Sequence, residues 1–275
     1  GVAGPAQRGQ TGEMRIIVTG GMGDLGSRVV ADLTARGHEV MAASRRTGVD
    51  LATGAGLADA LAGADGVVHC ATSPARPKGV DVGGAGRIVE ALRAMGESAA
   101  RTHLVGVSIV GCDLNPYPYY RAKHAAEEVL AGSGFPATVV RATQFHALAA
   151  FMAGLRVGPL GVRIGDMAIQ PVDIDFVAKR LVDLVTGGVP DGFRRATDLA
   201  GPDLLEVAQI SALVAAHDGR RATHLLRLPP LGGTMKSFSE RSNVPSGPVE
   251  VGGMSFAEWL AGQPRPLPRG PRHAT

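Results

Sequence analysis

The sequence predicts an α/β protein with a doubly wound parallel sheet and a small C-terminal lobe. Three observations support this class: strand-like apolar runs alternate with helix-like segments, the first strand ends in a glycine-rich loop, and 39 glycines accompany only 4% aromatic residues. Strands that alternate with helices at short spacing become parallel neighbours through crossover connections, and those connections cover both faces of the sheet. A core of small aliphatic side chains suits this arrangement.

The elements follow in a regular order from residue 14. The run MRIIVTGG, residues 14–21, is apolar and predicts the first strand, and the segment 24–37 repeats Leu25, Val29 and Leu33 at helical spacing. Further strands are predicted at 38–46, 66–72, 102–111 and 136–143, with helices between them at 57–64, 83–96 and 120–134.

The regular alternation of strands and helices ends at about residue 145. Beyond it, helices are predicted at 145–158 and 204–219, a strand leading into a helix at 169–188, and mostly loop at 228–253. We therefore divide the chain into four parts. They are a disordered N-terminus at 1–13, a core at 14–150, a substrate-binding lobe at 151–262 that is interleaved with the last sheet strands, and a disordered tail at 263–275.

Composition argues against several classes of protein. The 28 basic and 25 acidic residues are scattered, with no Lys/Arg run longer than a pair, so we expect no nucleic-acid partner. No segment reaches the roughly 18 apolar residues of a membrane helix, and residues 1–14 lack the apolar run of a secretory signal, so we expect a cytoplasmic protein. Cys70 and Cys112 form no CxxC pair and the histidines form no HxH or HExxH pattern, so no metal is predicted.

The glycine loop after the first strand reads VTGGMGDLG. It fits GxxGxxG through Gly20, Gly23 and Gly26, or GxGxxG with the same last two glycines. Because it follows a strand and opens a helix, it has the context in which this motif binds a dinucleotide. The glycines let the backbone approach a pyrophosphate, and the first amides of the helix, at Asp24 and Leu25, meet its charge. A tight turn without a ligand is the alternative.

The end of the second predicted strand indicates which dinucleotide is bound. An NAD-selective site normally has Asp or Glu about 20 residues beyond the glycine loop, where it binds the ribose 2′-hydroxyl. This chain has Ser44, Arg45 and Arg46 there. Cations and a hydroxyl suit a 2′-phosphate, so NADP is the predicted cofactor and residues 14–150 the NADP-binding core. A solvated pair of arginines is the alternative reading.

The stretch PYPYYRAK contains the candidate acid. Tyr119 and Lys123 are four residues apart at the start of a predicted helix, so both project from one face. A lysine ammonium beside a phenol favours the phenolate, which makes the tyrosine a usable proton donor or acceptor. Tyr120 has no lysine four residues further on, and Tyr117 lies between two prolines; both are predicted to line the pocket or contact the substrate. An aromatic helix start with a solvated lysine is the alternative.

The motifs TGGMGDLG, SRR, VVHCAT, LVGVSIVG, YYRAK and VVRATQF, in this order, resemble the short-chain dehydrogenase/reductase superfamily in its atypical NmrA-like branch. The resemblance spans residues 14 to about 200 and implies a Rossmann fold. In that superfamily a Tyr-x-x-x-Lys pair performs the acid/base step and a Ser or Thr at the end of the preceding strand orients the substrate oxygen. The matching residues here are Tyr119, Lys123 and Ser108, and Lys123 would also hold the nicotinamide ribose.

Four further cofactor contacts follow from the same resemblance. It places Asp50 and Leu51 near the adenine ring, and Ala71 and Thr72 along the middle of the cofactor. A turn cap is the alternative for Asp50, and a hydroxyl that bonds its own backbone is the alternative for Thr72.

The residues after the strand at 136–143 are predicted to face the substrate. They are Gln144, Phe145 and His146. A packed or surface position is the alternative for His146. Asp173 and Asp175 look like paired carboxylates, but we expect them to cap the helix that follows, because Asp before an apolar periodic run satisfies free amides.

The sequence as a whole predicts an NADPH-dependent oxidoreductase that transfers hydride to a carbonyl, a quinone or a related small acceptor. The apolar stretch FHALAAFMAGL, with Leu231, Met235 and Phe238, allows an apolar or aromatic pocket. Two alternatives stay open: a noncatalytic NADP(H)-sensing regulatory protein, and an isomerase or epimerase that retains its cofactor. Assembly as a homodimer also stays open.

Overall fold

The structure is a computed structural model that describes residues 12–73, 75–157, 160–221 and 224–268. Its strands are short, and those in the middle of the central sheet are buried, as expected for a sheet covered on both faces. In chain order they are β1 Arg15–Thr19, β2 Glu39–Ala43, β3 Gly66–His69, β4 His103–Ile109, β5 Ala137–Ala142, β6 Arg156–Val157, β7 Leu160–Ile164, β8 Ala168–Ile169, β9 Phe193–Arg195, β10 Asp198–Ala200, β11 Leu205–Glu206, β12 Leu225–Leu228 and β13 Val249–Val251.

The helices alternate with the strands from β1 to β6, whereas β6 to β8 and β9 to β11 are consecutive in the chain. They are α1 Asp24–Ala35, α2 Leu57–Leu61, α3 Gly83–Ala94, α4 Pro118–Ala131, α5 His146–Ala153, α6 Ile174–Thr186, α7 Val207–His217, α8 Gly232–Ser239 and α9 Phe256–Ala261. Two short irregular segments matter for the site: a 3-10 turn at Arg45–Thr47, and a π-helical turn at Lys78–Val82 that leads into α3.

The central sheet is parallel and has the strand order β13-β10-β5-β4-β3-β1-β2, with β9 pairing with the first half of β5. Side chains of a strand point alternately to the two faces, so neighbouring residues enter different cores. Ile17 and Val67 pack with α2, α3 and α4, whereas Ile16 and Val68 pack with α1 and α6. The doubly wound parallel sheet predicted from the sequence is therefore confirmed.

A third apolar cluster lies outside this sheet. It joins α5, β8, α7 and α9 through Ala149, Ile169, Ile210, Phe256 and Leu260. Two small sheets accompany it: an antiparallel pair of β8 and β11, and a three-stranded sheet of β6, β7 and β12. Because β9, β10 and β13 return to the central sheet, the C-terminal half is interleaved with it, and we propose that this cluster forms the substrate lobe.

The segment 228–253 differs from the prediction of mostly loop. It contains α8 and the edge strand β13, which pairs with β10 in register Leu199 to Glu250. Strands this short are held by their neighbours in the sheet, and their own residues carry little periodic signal. Most of the segment is loop as predicted, but the prediction missed these two elements.

Helix α6 shows the cap predicted from the sequence. The Asp173 side chain accepts a hydrogen bond from the backbone N–H of Asp175 at 3.1 Å, as an N-cap carboxylate does. The helix then buries Val177, Leu181 and Val185 against the sheet. Both acids therefore lie at a helix start, where one of them caps free amides.

The chain ends were predicted to be disordered. Residues 1–11 and 269–275 lie outside the described residues. The first part of the tail packs on the lobe, because the backbone N–H of Leu267 donates to Asp218 Oδ1 at 2.8 Å. None of the helices in the described ranges has the length and apolarity needed to cross a bilayer.

Candidate active site

The glycine loop between β1 and α1 is too tight for side chains at Gly20, Gly21 and Gly26. Gly20 has φ +68°, and a Cβ there would lie 2.7 Å from the backbone of Ala71. At Gly26 a Cβ would lie 2.2 Å from the carbonyl oxygen of Gly20. The close approach brings the first turn of α1 against the ends of β1 and β3, and it places Gly20 beside Ala71.

The start of α1 presents free amides at this loop. Gly23 is the N-cap residue and has no side chain, so no N-cap side chain accepts hydrogen bonds from the first amides of the helix. Asp24 and Leu25 are the first residues of the helix. The donor set fits a pyrophosphate, which binds backbone N–H groups at a helix N-terminus.

The two predicted phosphate arginines lie beside this loop. Strand β2 is the parallel neighbour of β1, and the N–H of Gly20 donates to Ala43 O at 3.0 Å, so the carboxyl end of β2 adjoins the loop. Ser44 follows directly, and Arg45 and Arg46 form the exposed 3-10 turn after it. Loop and arginines thus share one edge of the sheet.

Asp50 and Leu51 both make contacts within the protein itself. The Asp50 carboxylate accepts a hydrogen bond from the N–H of Ala52 at 2.8 Å, which is the turn-capping alternative. The Leu51 side chain is 9% exposed and belongs to the core, while its carbonyl accepts from Arg87 Nη1 at 2.9 Å. The Leu51 side chain therefore packs in the core, and its contact with the adenine end of the cofactor stays a prediction.

Thr72 and Tyr119 meet at the carboxyl end of β3. The Thr72 hydroxyl lies 2.8 Å from Tyr119 Oη and donates to Asp81 Oδ1 at 2.7 Å. Lys123 Nζ donates to the same Asp81 oxygen at 3.2 Å. Since Ala71, the neighbour of Thr72, abuts Gly20, the Tyr-Lys pair lies next to the glycine loop.

Lys123 is a buried ammonium with negative neighbours. Burial is the largest single influence on its pKa and lowers it, but Tyr119 and Asp81 together outweigh that effect and raise the pKa above its ordinary value. Lys123 therefore carries its charge at neutral pH. A buried, charged lysine is what a tyrosine acid needs beside it.

Ser108 lies near the end of β4, but its hydroxyl points to another cluster. Its Oγ is buried and lies 3.5 Å from Cys112 Sγ, which in turn donates to Glu127 Oε1 at 3.2 Å. Arg141 donates to both Glu127 oxygens at 2.7 Å each. The hydroxyl group that contacts Tyr119 in the described residues belongs to Thr72 and not to Ser108. The role of Ser108 in orienting the substrate oxygen therefore stays a prediction.

Cys112, His124 and Glu127 bring potential metal-ligand atoms within 4.8 Å of one another. Their chemistry favours an ion pair instead. Arg141 already holds both carboxylate oxygens, and burial raises the pKa of the Cys112 thiol to about 12, so neither group is a free anionic ligand.

Tyr120 is part of a buried polar chain. Its hydroxyl accepts from Gln144 Nε2 at 3.0 Å, and Gln144 Oε1 accepts from Asn243 Nδ2 at 3.3 Å. Burial raises the pKa of Tyr120, so its phenol stays protonated. Tyr117 is 42% exposed, and its ring centre lies 6.1 Å from that of Tyr120. Tyr117 therefore lies at the surface, whereas the polar groups of Tyr120 and Gln144 are engaged in hydrogen bonds inside the fold.

Phe145 and His146 open α5. Phe145 packs against the cluster of α1 and α6 and forms a bridge with Val172. His146 is buried, with Nε2 at 3.0 Å from Met254 O, and its ring lies 5.5 Å from that of Trp259. Burial lowers the pKa of His146. The prediction that His146 faces the substrate is corrected to the packed alternative.

Sequence reasoning missed Asp81 and His69. Asp81 lies on the π-helical turn before α3, in a segment without periodicity, and His69 ends β3 with Nδ1 at 2.7 Å from Thr19 Oγ1. Burial lowers the pKa of His69 to about 4. The only signal for Asp81 was a single acid in the glycine-rich segment KGVDVGG, which is too weak to distinguish from a cap.

Fold and site together define a dinucleotide-binding protein of the Rossmann type. The chain belongs to the NAD(P)H-binding family, whose model matches residues 20–174, more than half of its length. This match confirms the dinucleotide-binding Rossmann domain that the resemblance to short-chain dehydrogenase/reductases implied. No curated protein sequence matches significantly.

Solved structures share the fold at low identity. An NADPH-dependent quinone oxidoreductase from Escherichia coli, in complex with NADPH, is 18% identical with a TM-score of 0.65, covering 90% of this chain and 98% of that one. A nucleoside-diphosphate-sugar epimerase from Staphylococcus aureus is 16% identical with a TM-score of 0.67, covering 90% and 99%. A short-chain dehydrogenase/reductase superfamily protein from Agrobacterium tumefaciens with bound NAD is 17% identical with a TM-score of 0.60, covering 83% and 96%.

Proposed function

We propose that the protein is an NADPH-dependent reductase of a small carbonyl or quinone acceptor. The observation that carries this is the placement of a half-buried tyrosine hydroxyl and a buried lysine next to the glycine loop. A proton donor beside a hydride donor is the minimum that carbonyl reduction requires.

The residues that would hold the cofactor lie along one edge of the sheet. The glycine loop and the amides of Asp24 and Leu25 would bind the pyrophosphate, and Lys123 the nicotinamide ribose. When bound, the reduced nicotinamide supplies a hydride to the acceptor carbon. The residues present fit this group, because glycine at positions 20 and 26 lets the loop pack closely at the start of α1, where the N-cap residue Gly23 has no side chain to occupy the first amides.

Tyr119 supplies the proton that the acceptor oxygen needs. Its O–H bond breaks as the oxygen of the acceptor gains the proton, and the charged ammonium of Lys123 stabilises the phenolate that is left. Its phenol is half-exposed, so an acceptor can reach it, while Lys123 lies buried behind it. The deprotonated tyrosine then regains a proton from solvent.

The acceptor is proposed to be apolar or aromatic. Leu114 is 65% exposed and Tyr117 42%, and both lie in the segment that leads into α4, which carries Tyr119. Leu231, 72% exposed, precedes α8, whose Phe238 ring packs edge-on 5.5 Å from that of Tyr120. These exposed apolar side chains give a rim that suits a ring ketone or quinone better than a charged sugar nucleotide.

Titration calorimetry with NADPH and NADH tests the choice of cofactor. Wild type should bind NADPH at least tenfold more tightly, since a charge-assisted contact to a phosphate is worth roughly 1.5–3 kcal/mol. The Arg45→Ala/Arg46→Ala variant should lose that preference. The exposed pair Arg194 and Arg195 in β9 gives the matched control, Arg194→Ala/Arg195→Ala, which should keep it. Equal affinity of wild type for both nucleotides would refute NADP selectivity.

A further inference from the structure

A buried carboxylate lies beneath the Tyr119–Lys123 pair. Asp81 is 0% exposed, and its Oδ1 accepts from Thr72 Oγ1 at 2.7 Å and from Lys123 Nζ at 3.2 Å. Its Oδ2 accepts from the N–H of Ser73 at 3.2 Å. A buried carboxylate is costly unless donors satisfy it, and here three donors converge on it, one of them charged. Asp81 is therefore an anion that accepts hydrogen bonds.

The direction of each hydrogen bond follows from this charge. An ionised carboxylate only accepts, so Thr72 gives its single hydroxyl hydrogen to Asp81. The Thr72 oxygen has only lone pairs left for Tyr119, so the phenol donates to Thr72. Once Tyr119 has lost its proton, the Thr72 hydroxyl can rotate and donate to the phenolate, while Asp81 keeps Lys123 and Ser73 as donors. Thr72 thus has two hydrogen-bonded positions.

We propose that Thr72, oriented by Asp81, is the hydroxyl that stabilises the Tyr119 phenolate, and that Asp81 holds Lys123 in its charged form. This inference rests on the proposed function and deepens it, because both residues lie outside the Tyr-x-x-x-Lys pair. The alternative hydroxyl, Ser108, faces Cys112 at 3.5 Å. Asp81 acts through Thr72 and Lys123 and is a positioning residue.

Four groups in the described part of the chain face Lys123, and among them Asp81 supplies the negative charge that balances its ammonium. They are Tyr119 on the same helix, Asp81 on the π-helical turn, and Cys70 and His69 at the end of β3. Burial raises the pKa of the Cys70 thiol to about 12 and lowers the pKa of His69 to about 4, so both are neutral near pH 7. Among these groups, Asp81 carries the resting negative charge.

Thr72 variants test the hydroxyl. Thr72→Val keeps the shape and removes the donor, so kcat should fall roughly a hundredfold, as for loss of one preorganised donor, and the pH profile of kcat should move to higher pH. Thr72→Ser should stay within about threefold of wild type. Thr186→Val, which removes a hydroxyl from the distant α6, is the matched control. Wild-type kcat in Thr72→Val, or an equal loss in Ser108→Ala, would overturn the assignment.

Lysine side-chain NMR of the protein without cofactor or acceptor tests Asp81 independently of turnover. Asp81→Asn should lower the pKa of Lys123, because burial then acts without its counter-charge, while exposed Lys236 in the same spectrum serves as the control. An unchanged titration of Lys123 would overturn the proposal. Because no reaction is needed, this result stands even if every acceptor fails and the reductase proposal with it.

The Asp81→Asn variant leaves Lys123 buried without a counter-charge and can fail to fold. The double variant Asp81→Asn/Lys123→Met removes both charges. If the single variant unfolds and the double variant folds, the charge coupling between the two residues is established. If both unfold, Asp81 serves the fold for a reason other than Lys123, and the proposal is wrong.

Discussion

Tyr119 and Tyr120 are adjacent and differ in almost every physical respect. Tyr119 is half-exposed and bonded to the hydroxyl of Thr72. Tyr120 is buried, accepts from Gln144 and packs on Phe238, and its burial raises the pKa of the phenol. A helix turns by about 100° per residue, so one of two neighbouring side chains faces the site and the other faces the core.

Replacing each tyrosine by phenylalanine separates the two roles. Tyr119→Phe should lower kcat by about 10²- to 10⁴-fold, the usual range for a general acid, and leave the Kd for NADPH within about threefold. Tyr120→Phe should cost about 1 kcal/mol of stability, since it strands the Gln144 amide. Steady-state kinetics and urea unfolding measure both. A larger loss of kcat in Tyr120→Phe would reverse the assignment.

The buried ion pair of Glu127 and Arg141 is expected to stabilise the fold. Glu127→Gln leaves the guanidinium of Arg141 buried with Asp113 as its one remaining anionic partner among the described residues, which should cost about 3–5 kcal/mol. Burial opposes the Glu127 charge, but the hydrogen bonds from Arg141 outweigh it and lower the pKa of the carboxyl. The stabilisation is therefore present above the ordinary value of 4.5 and is lost as pH falls through the lowered pKa.

Urea unfolding of wild type and Glu127→Gln at neutral and acidic pH checks this. The difference between the two proteins should shrink as pH falls below 4.5. A constant difference would show that the pair contributes through packing and not through charge. Asp166→Asn, which breaks an exposed pair with Arg227, should cost less than about 1 kcal/mol and serves as the control.

At the scale of elements, the turn from β1 into α1 depends on Gly26. Gly26→Ala would place a Cβ 2.2 Å from Gly20 O, so the loop must open. We expect NADPH affinity to fall at least tenfold and the urea midpoint to drop. Gly86→Ala in the middle of α3 meets nothing within 4 Å and should raise stability by about 0.5–1 kcal/mol without changing NADPH binding. Unchanged affinity in Gly26→Ala would mean that the loop is only a turn.

The elements that the sequence predicted best are those with strong periodicity. Helix α1 repeats its buried residues at helical spacing, and strands β1, β3 and β5 are continuous runs of mainly apolar, buried residues, so their residues alone identify them. The π-helical turn with Asp81 and helix α8 have no such pattern, and tertiary contacts decide their conformation. The Tyr-Lys pair was found because four residues span one helical turn. The Thr72–Tyr119 contact joins residues 47 apart, and no spacing rule predicts it.

For the whole molecule, the parallel sheet gathers the site at the carboxyl ends of its strands. The glycine loop follows β1, the arginines follow β2, and Thr72 follows β3 by three residues. Helix α4, which carries Tyr119 and Lys123, follows β4. Residues far apart in sequence thus meet along one edge, as ligand sites in open α/β sheets do.

Stability of the whole molecule should fall in mild acid. Burial is the largest cause that lowers the pKa of both His69 and His103 to about 4, from an ordinary value of 6.5. Below pH 6.5 these two histidines bind protons in the unfolded chain but stay neutral in the native state. The free energy of unfolding therefore decreases as pH falls from 6.5 towards 4. The urea midpoint should therefore be level above pH 7 and decline below about 6.

Histidine variants test whether the buried imidazoles cause this loss of stability in acid. His103→Gln removes one buried imidazole and should flatten the decline, whereas His224→Gln, at an exposed position, should leave it unchanged. A midpoint that stays level down to pH 5 in wild type would contradict the account, because two buried neutral histidines require a decline.

Transfer of deuterium from NADPH labelled on the nicotinamide tests the central claim most directly. Wild type, incubated with a panel of ring ketones and quinones, should give reduced product that carries the label, and Tyr119→Phe should give at least a hundredfold less. NADPH that binds but never passes its label to an acceptor would contradict the reductase and favour a sensing protein. Label that returns to the cofactor while the acceptor is isomerised would favour an epimerase.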